Sequence, residues 1–148
     1  MKRAGFTMIE LIFVIVILGI LAAVAIPKLA ATRTDASVSK ISQDASTLVG
    51  ELGTYYTAQG TFKGKSSADI TNITLKTSDT DLQDTDTLVI GDENNNTCLT
   101  ITFNSVADGN ITVAAEASPT GSVCKGVKSA TTGLQKTFNF GGSSVNWN

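Results

Sequence analysis

The sequence predicts an α+β protein: a long N-terminal α-helix, membrane-type in its first half and amphipathic in its second, packed on a small antiparallel β-sheet. Three observations predict it. Residues 6–26 hold one charge, Glu10, among apolar side chains. Apolar residues then recur at helical spacing as far as Tyr56. Beyond Gly60, short apolar runs alternate with turn-forming clusters.

The first element is long enough to span a bilayer, because about 20 apolar helical residues cover a hydrocarbon core of roughly 30 Å. Lys2 and Arg3 precede it and predict a cytoplasmic N-terminus. The bulk of the chain then lies outside the cytoplasm. Next, Val38, Ile41, Ala45, Leu48, Val49, Leu52, Tyr55 and Tyr56 fall on one helical face. Lys40, Gln43, Asp44 and Glu51 fill the other. The two segments read as one helix from about Phe6 to about Ala58, roughly 80 Å at the usual rise, with Gly60 as a stop. Pro27 lacks an amide hydrogen and should kink the helix, and Gly19 weakens it slightly earlier. Two readings of that pair stand: local loosening in a packed assembly, or simple tolerance within a membrane helix.

The remainder predicts short strands at Leu88–Ile90, Cys98–Phe103 and Ile111–Ala115. In the second, Leu99, Ile101 and Phe103 share a face opposite Thr100 and Thr102. Turn clusters at 91–96 and 108–110 separate the strands, which suits an antiparallel meander. The meander would pack on the apolar face of the helix after Pro27. Ser66–Asp86 is polar and rich in Thr and Asp, and reads as an extended surface loop. There are no internal repeats.

Charge is segregated. The 148 residues sum to −2, which excludes a generally basic nucleic-acid binder. Yet Asp69–Glu116 carries nine acids against Lys76 alone, a net of −8, while Ala117–Asn148 has three lysines and no acid. The absence of His removes His-based triads and His-containing metal sites, and two Cys cannot build a Cys₄ zinc site. No enzyme activity and no cofactor are expected.

Glu10 is the puzzle in the apolar segment. A carboxylate near a helix centre in lipid costs about 2.5–3.5 kcal/mol on insertion scales, and less near an end. A secretory signal peptide cut near Ala22–Ala25 and a plain single-pass anchor are two readings of the segment, and neither accounts for this residue.

The stretch Lys2-Arg3-Ala4-Gly5-Phe6-Thr7-Met8-Ile9-Glu10-Leu11 resembles the leader of type IV prepilins and their relatives, the type II secretion pseudopilins and competence pilins. The likeness continues through Gly19 and Ala25-Ile26-Pro27 and covers roughly the first 35 residues. It implies cleavage after Gly5 by a membrane-embedded prepilin peptidase and N-methylation of the new terminus, Phe6. It implies four parts: a leader (1–5), an apolar membrane or filament-core helix (6–26), its amphipathic continuation (27–58) and an extracytoplasmic β domain (59–148). The cut would create an ammonium at Phe6 in apolar surroundings. A buried cation needs a buried anion, and Glu10 of the same or a neighbouring subunit would supply it and fix axial register.

Cys98 and Cys124 enclose 25 residues. In an oxidising compartment a disulfide is the default, and a loop of this size stabilises by about 3–4 kcal/mol in the chain-entropy model. The pair is similar to the disulfide that often pins the C-terminal region of type IV pilins. Two free buried thiols are the alternative.

Asp79, Asp81, Asp84, Asp86, Asp92 and Glu93 invite a calcium reading, but EF-hand spacing is missing, and a solvated acidic surface is the expectation. Major pseudopilins typically carry a calcium loop near the C-terminus and no such disulfide, so the acid-free tail leans toward a pilin. Glu93-Asn94-Asn95-Asn96-Thr97 and Asp108-Gly109-Asn110-Ile111-Thr112 each place an acid two residues before Asn-x-Thr, a bacterial glycosylation pattern at Asn95 and Asn110.

The resemblance therefore implies a structural subunit of a helical filament, built by packing N-terminal helices with the β domains outward. Its partners would be copies of itself, the peptidase, the membrane and an ATP-driven inner-membrane assembly platform; nothing in this chain binds ATP. A pseudopilus subunit of a secretion or competence system is the alternative. DNA binding through Lys125, Lys128 and Lys136 is a weaker third reading.

Overall fold

A computed structural model describes residues 1 and 5–141. Lys2 and Arg3 of the expected leader lie outside the described residues, as does the end of the segment 59–148. In chain order the elements are α1 (Met8–Gln59), α2 (Ser67–Ile70), β1 (Thr87–Gly91), β2 (Thr97–Ser105), β3 (Asn110–Ala115), α3 (Ser122–Ala130), a 3₁₀ turn (Thr132–Leu134) and β4 (Thr137–Asn139). The chain divides into two compact units, Met1–Thr34 and Asp35 onward.

The first unit is the N-terminal part of α1. Helix continues without a break through Gly19 and Pro27. Pro27 brings no N–H for the Ala23 carbonyl, yet the turns on either side stay helical. The large apolar side chains from Phe6 to Leu29 are exposed. Thr32 and Thr34 donate their hydroxyls to the carbonyls of Lys28 and Ala30, so neither leaves a bare polar group on the helix.

The second unit is a helix-on-sheet sandwich. Ile41, Ala45, Leu48, Val49 and Leu52 of α1 are buried, as the periodicity predicts. The strands pair in the order β1-β2-β3-β4, all antiparallel. Register aligns Leu88 with Ile101 and Val113, and Phe103 with Ile111 and Phe138, which builds continuous apolar rows on the core face. Thr87, Thr102, Thr112 and Thr137 form a parallel row on the other. Phe62 is fully buried, with Phe103 edge-on at 5.3 Å between centroids and Tyr56 at 5.2 Å. Helix α1 stops where expected: Gly60 takes φ +73° and donates its amide to Tyr56 O, a left-handed closure that favours glycine.

Two stretches differ from the sequence reading. Ser66–Asp86 is more than a surface loop. It opens with α2, capped by Ser66 and Asp69, and buries Ser67, Ile70 and Leu82. Its later part adds to the sheet edge: Lys76 N donates to Val89 O, and Val89 N to Thr77 O. The physical reason is that isolated apolar residues in a polar run still anchor it, provided nearby hydroxyls and carboxylates satisfy the buried backbone. Ala117–Asn148, for which no element was predicted, contains α3 and β4 among its described residues. In α3 the apolar residues Val123, Cys124 and Val127 face the domain.

Candidate functional site

The candidate site is the start of α1, and its geometry comes from one turn. Thr7 is the N-cap: its carbonyl accepts the first helical amide, from Leu11, at 3.2 Å. Thr7 N and Thr7 Oγ1 both donate to Glu10 Oε2 at 2.7 Å, and Glu10 N donates back to Thr7 Oγ1 at 3.3 Å. This reciprocal pair is a capping box, which satisfies amides that a helix N-terminus otherwise leaves bare. A carboxylate in the first turn also opposes the positive end of the helix dipole.

Thr7 is a site residue that the sequence reading missed. Its signal was present as Thr-x-x-Glu before an apolar run. Glu10 therefore has a partner within its own chain while the peptide bond to Gly5 is intact. Both bonds from Thr7 fall on one carboxylate oxygen, Oε2.

Gly5 and Phe6 precede the helix and are exposed, and a Cβ at Gly5 would meet nothing within 4 Å. The Gly5–Phe6 bond thus sits in accessible, non-helical chain. Gly19 likewise has open space around it, so no packing within one chain demands glycine there.

In the sheet domain, Cys98 and Cys124 are bonded and fully buried. Cys98 is the extra residue of a β2 bulge, between Thr97 opposite Gly91 and Leu99 opposite Ile90. The bond ties α3 to that bulge.

Several of the acidic residues hold backbone amides. Asp92 accepts Asn94 N at 3.0 Å, Asn96 N at 2.8 Å and Asn96 Nδ2 at 2.9 Å. Partial burial alone would raise its pKa, but these hydrogen bonds, led by Asn96, and the nearby Lys76 ammonium hold it below the ordinary value. Asp79 accepts Asp81 N, Asp84 accepts Val106 N and Asp86 accepts Gln83 N. Among the described residues no group of three or more His, Cys, Asp or Glu is placed to hold a metal ion.

Of the lysines weighed for DNA, Lys128 donates to the carbonyls of Glu116 and Ala117, and Lys136 lies over the Phe138 ring at 5.1 Å. Lys125 is exposed. Asn95 is exposed at a turn, while Asn110 begins β3.

α1 contains a window long and apolar enough to cross a membrane, with none of it buried. Residues 1–26 match the family model of the prokaryotic N-terminal methylation motif. No curated protein and no solved structure matches the chain. Residues 1–26, which include the apolar start of α1, thus carry the N-terminal signal of type IV pilins and pseudopilins, and the α+β fold, a long N-terminal helix with a four-stranded antiparallel sheet, is consistent with a pilin-like one.

Proposed function

We propose that the protein is the precursor of a structural subunit of a type IV pilus. The leader 1–5 is removed after Gly5, Phe6 is N-methylated, and many copies assemble through their N-terminal helices. The observation that carries this reading is that the helix inside the matched methylation motif is, apart from Glu10, apolar all round and exposed. A helix apolar on every side is stable only in lipid or among other helices, and the same segment serves both environments in turn.

Before assembly the chain is an inner-membrane protein with a cytoplasmic N-terminus. Assembly transfers 6–26 from lipid into a bundle of like helices, with 27–58 as its amphipathic continuation and 59–148 outermost. Glu10 pairs with the Phe6 ammonium of its own or a neighbouring chain and sets the register. Gly19 and Pro27 are where that helix loosens in the packed state.

The methylation motif also serves pseudopilins, so a periplasmic pseudopilus subunit is the second reading. The acid-free C-terminal segment, which offers no carboxylates for a calcium loop, favours the pilus. Electron microscopy of purified surface filaments with N-terminal sequencing tests this. Long filaments whose subunits begin at methylated Phe6 are expected; filaments confined to the periplasm, or subunits starting elsewhere, overturn it.

A further inference from the structure

Two segments of the sheet domain have the same acid-x-Asn-x-Thr spacing, and the fold treats them oppositely. Asn95 lies on the crest of the β1–β2 turn, exposed, with φ +62°. Below it the turn has a built base: Asp92 binds Asn94 and Asn96 through its carboxylate, and Asp92 N donates to Asn96 O. Lys76 Nζ braces the same base through Asn95 O at 2.7 Å and Thr97 Oγ1 at 3.0 Å. Since Thr97 Oγ1 accepts that bond, its own proton remains available to another acceptor. Glu93, Asn94 and Asn95 are exposed to solvent.

Asn110 is committed to the sheet. Its Oδ1 accepts Asn104 Nδ2 at 2.6 Å, and its Nδ2 donates to Asn139 Oδ1. Thr112 Oγ1 is shared between Asn104 Nδ2 and Thr137 Oγ1. Ile111 between them is fully buried, and the segment pairs with β2 on one side and β4 on the other.

An Asn amide nitrogen is a weak nucleophile because its lone pair is delocalised into the carbonyl. A transferase must therefore bend the acceptor segment, reach the amide and hold the Thr hydroxyl. The crest at Asn95 is already bent and solvent-facing, whereas Asn110 becomes reachable only when Ile111 leaves the core.

We infer that Asn95 is an N-glycan acceptor and that Asn110, despite the same spacing, is not. The donor is a lipid-diphosphate-linked oligosaccharide. A bond forms between Asn95 Nδ2 and C1 of the first sugar as the C1–O bond to the diphosphate breaks. The lipid diphosphate leaves, and one amide proton passes to a base of the transferase. In cells this rests on the proposed placement of the sheet domain outside the cytoplasm, beside such a transferase.

The test uses the full chain, folded and oxidised in detergent, with a purified bacterial oligosaccharyltransferase specific for acid-x-Asn-x-Thr and a donor of known mass. Intact mass is expected to rise by one glycan, N95Q to lose the adduct and N110Q to keep it. The reduced, denatured chain is expected to accept a second glycan, at Asn110. No adduct on the folded chain, an adduct that survives N95Q, or two adducts on the folded chain would each overturn the inference. An adduct in vitro, with none in cells that express the transferase, overturns the extracytoplasmic placement and leaves the Asn95 assignment standing.

Discussion

Glu10 holds two protons of Thr7, the amide and the hydroxyl, on a single carboxylate oxygen at 2.7 Å each. With the bond to Gly5 intact the carboxylate is thus a helix cap, and the cleavage proposed above would also make it the anion nearest the new Phe6 amine in sequence. Capping and ion pairing can be separated. Loss of a cap costs about 0.5–2 kcal/mol, while breaking a buried ion pair costs roughly 3–5 kcal/mol. Glutamine is an accepted capping-box partner, so Glu10→Gln keeps the first role and removes the second. Glu10→Gln and Glu10→Ala are both expected to abolish filaments while cleavage after Gly5 proceeds normally. Sheared filament yield and N-terminal sequencing measure the two. Wild-type yield from Glu10→Gln would reduce the residue to a cap.

Gly126 lies against Val38. A Cβ built on Gly126 would sit 2.6 Å from Val38 Cγ2, so α3 approaches α1 as closely as glycine allows. Alanine in a helix interior gains about 1 kcal/mol over glycine, but overpacking costs about 1–3 kcal/mol. The second effect should win, and Gly126→Ala is expected to destabilise by roughly 1 kcal/mol. Adding Val38→Ala opens the space and should recover part of that loss. Chemical denaturation of the four combinations gives the coupling energy, which is expected to exceed about 0.5 kcal/mol for residues in contact. Simple additivity would contradict the contact.

The parts legible in the sequence were those with redundant signals. The helix had length, charge depletion and a face that continued to Tyr56, and β2 had a clean alternation from Leu99 to Phe103. The Thr7–Glu10 box is equally local, but a capping pair spans only four residues and is a weak signal beside a 21-residue apolar run with a single charge. Other features were not local at all. β4 is three residues long, and its strand character comes from pairing with Asn110–Thr112. The short α3 has few apolar positions of its own, and the bond to Cys98 adds a tertiary constraint. The two acid-x-Asn-x-Thr segments look alike as text, and only the sheet register distinguishes them.

Leu82 measures what the polar stretch between α2 and β1 contributes. It is fully buried, and its backbone bonds both ways: Leu82 N to Lys65 O at 2.9 Å, and Gly64 N to Leu82 O at 3.1 Å. Leu82→Ala is expected to cost about 2–5 kcal/mol, the range for emptying a buried leucine site. Thr80→Ala, two residues away and exposed, should stay within about 0.5 kcal/mol of wild type. Equal, small effects at both positions in a denaturation series would return 66–86 to a passive surface loop.

Asp92 makes the β1–β2 turn sensitive to acid. Burial alone would raise its pKa, but the hydrogen bonds from Asn96 and Asn94, with Lys76 nearby, leave it below the ordinary carboxylate value of 3.8. A depressed folded-state pKa means that the unfolded chain takes up the proton first on acidification. The stabilisation by ionised Asp92 is therefore fully present above the unfolded value and disappears as pH falls through the folded value. Asp92→Asn keeps an oxygen for the backbone amides but loses the charge and the acceptor for Asn96 Nδ2. Its stability deficit is expected to be constant from neutral pH down to about pH 5, given an ordinary unfolded-state carboxylate, and to shrink below about pH 4. The deficit itself should be small, on the order of 1 kcal/mol, because a largely solvated carboxylate is screened. Denaturation midpoints of the two proteins across that range measure it, and a deficit that grows on acidification would contradict the role of the charge.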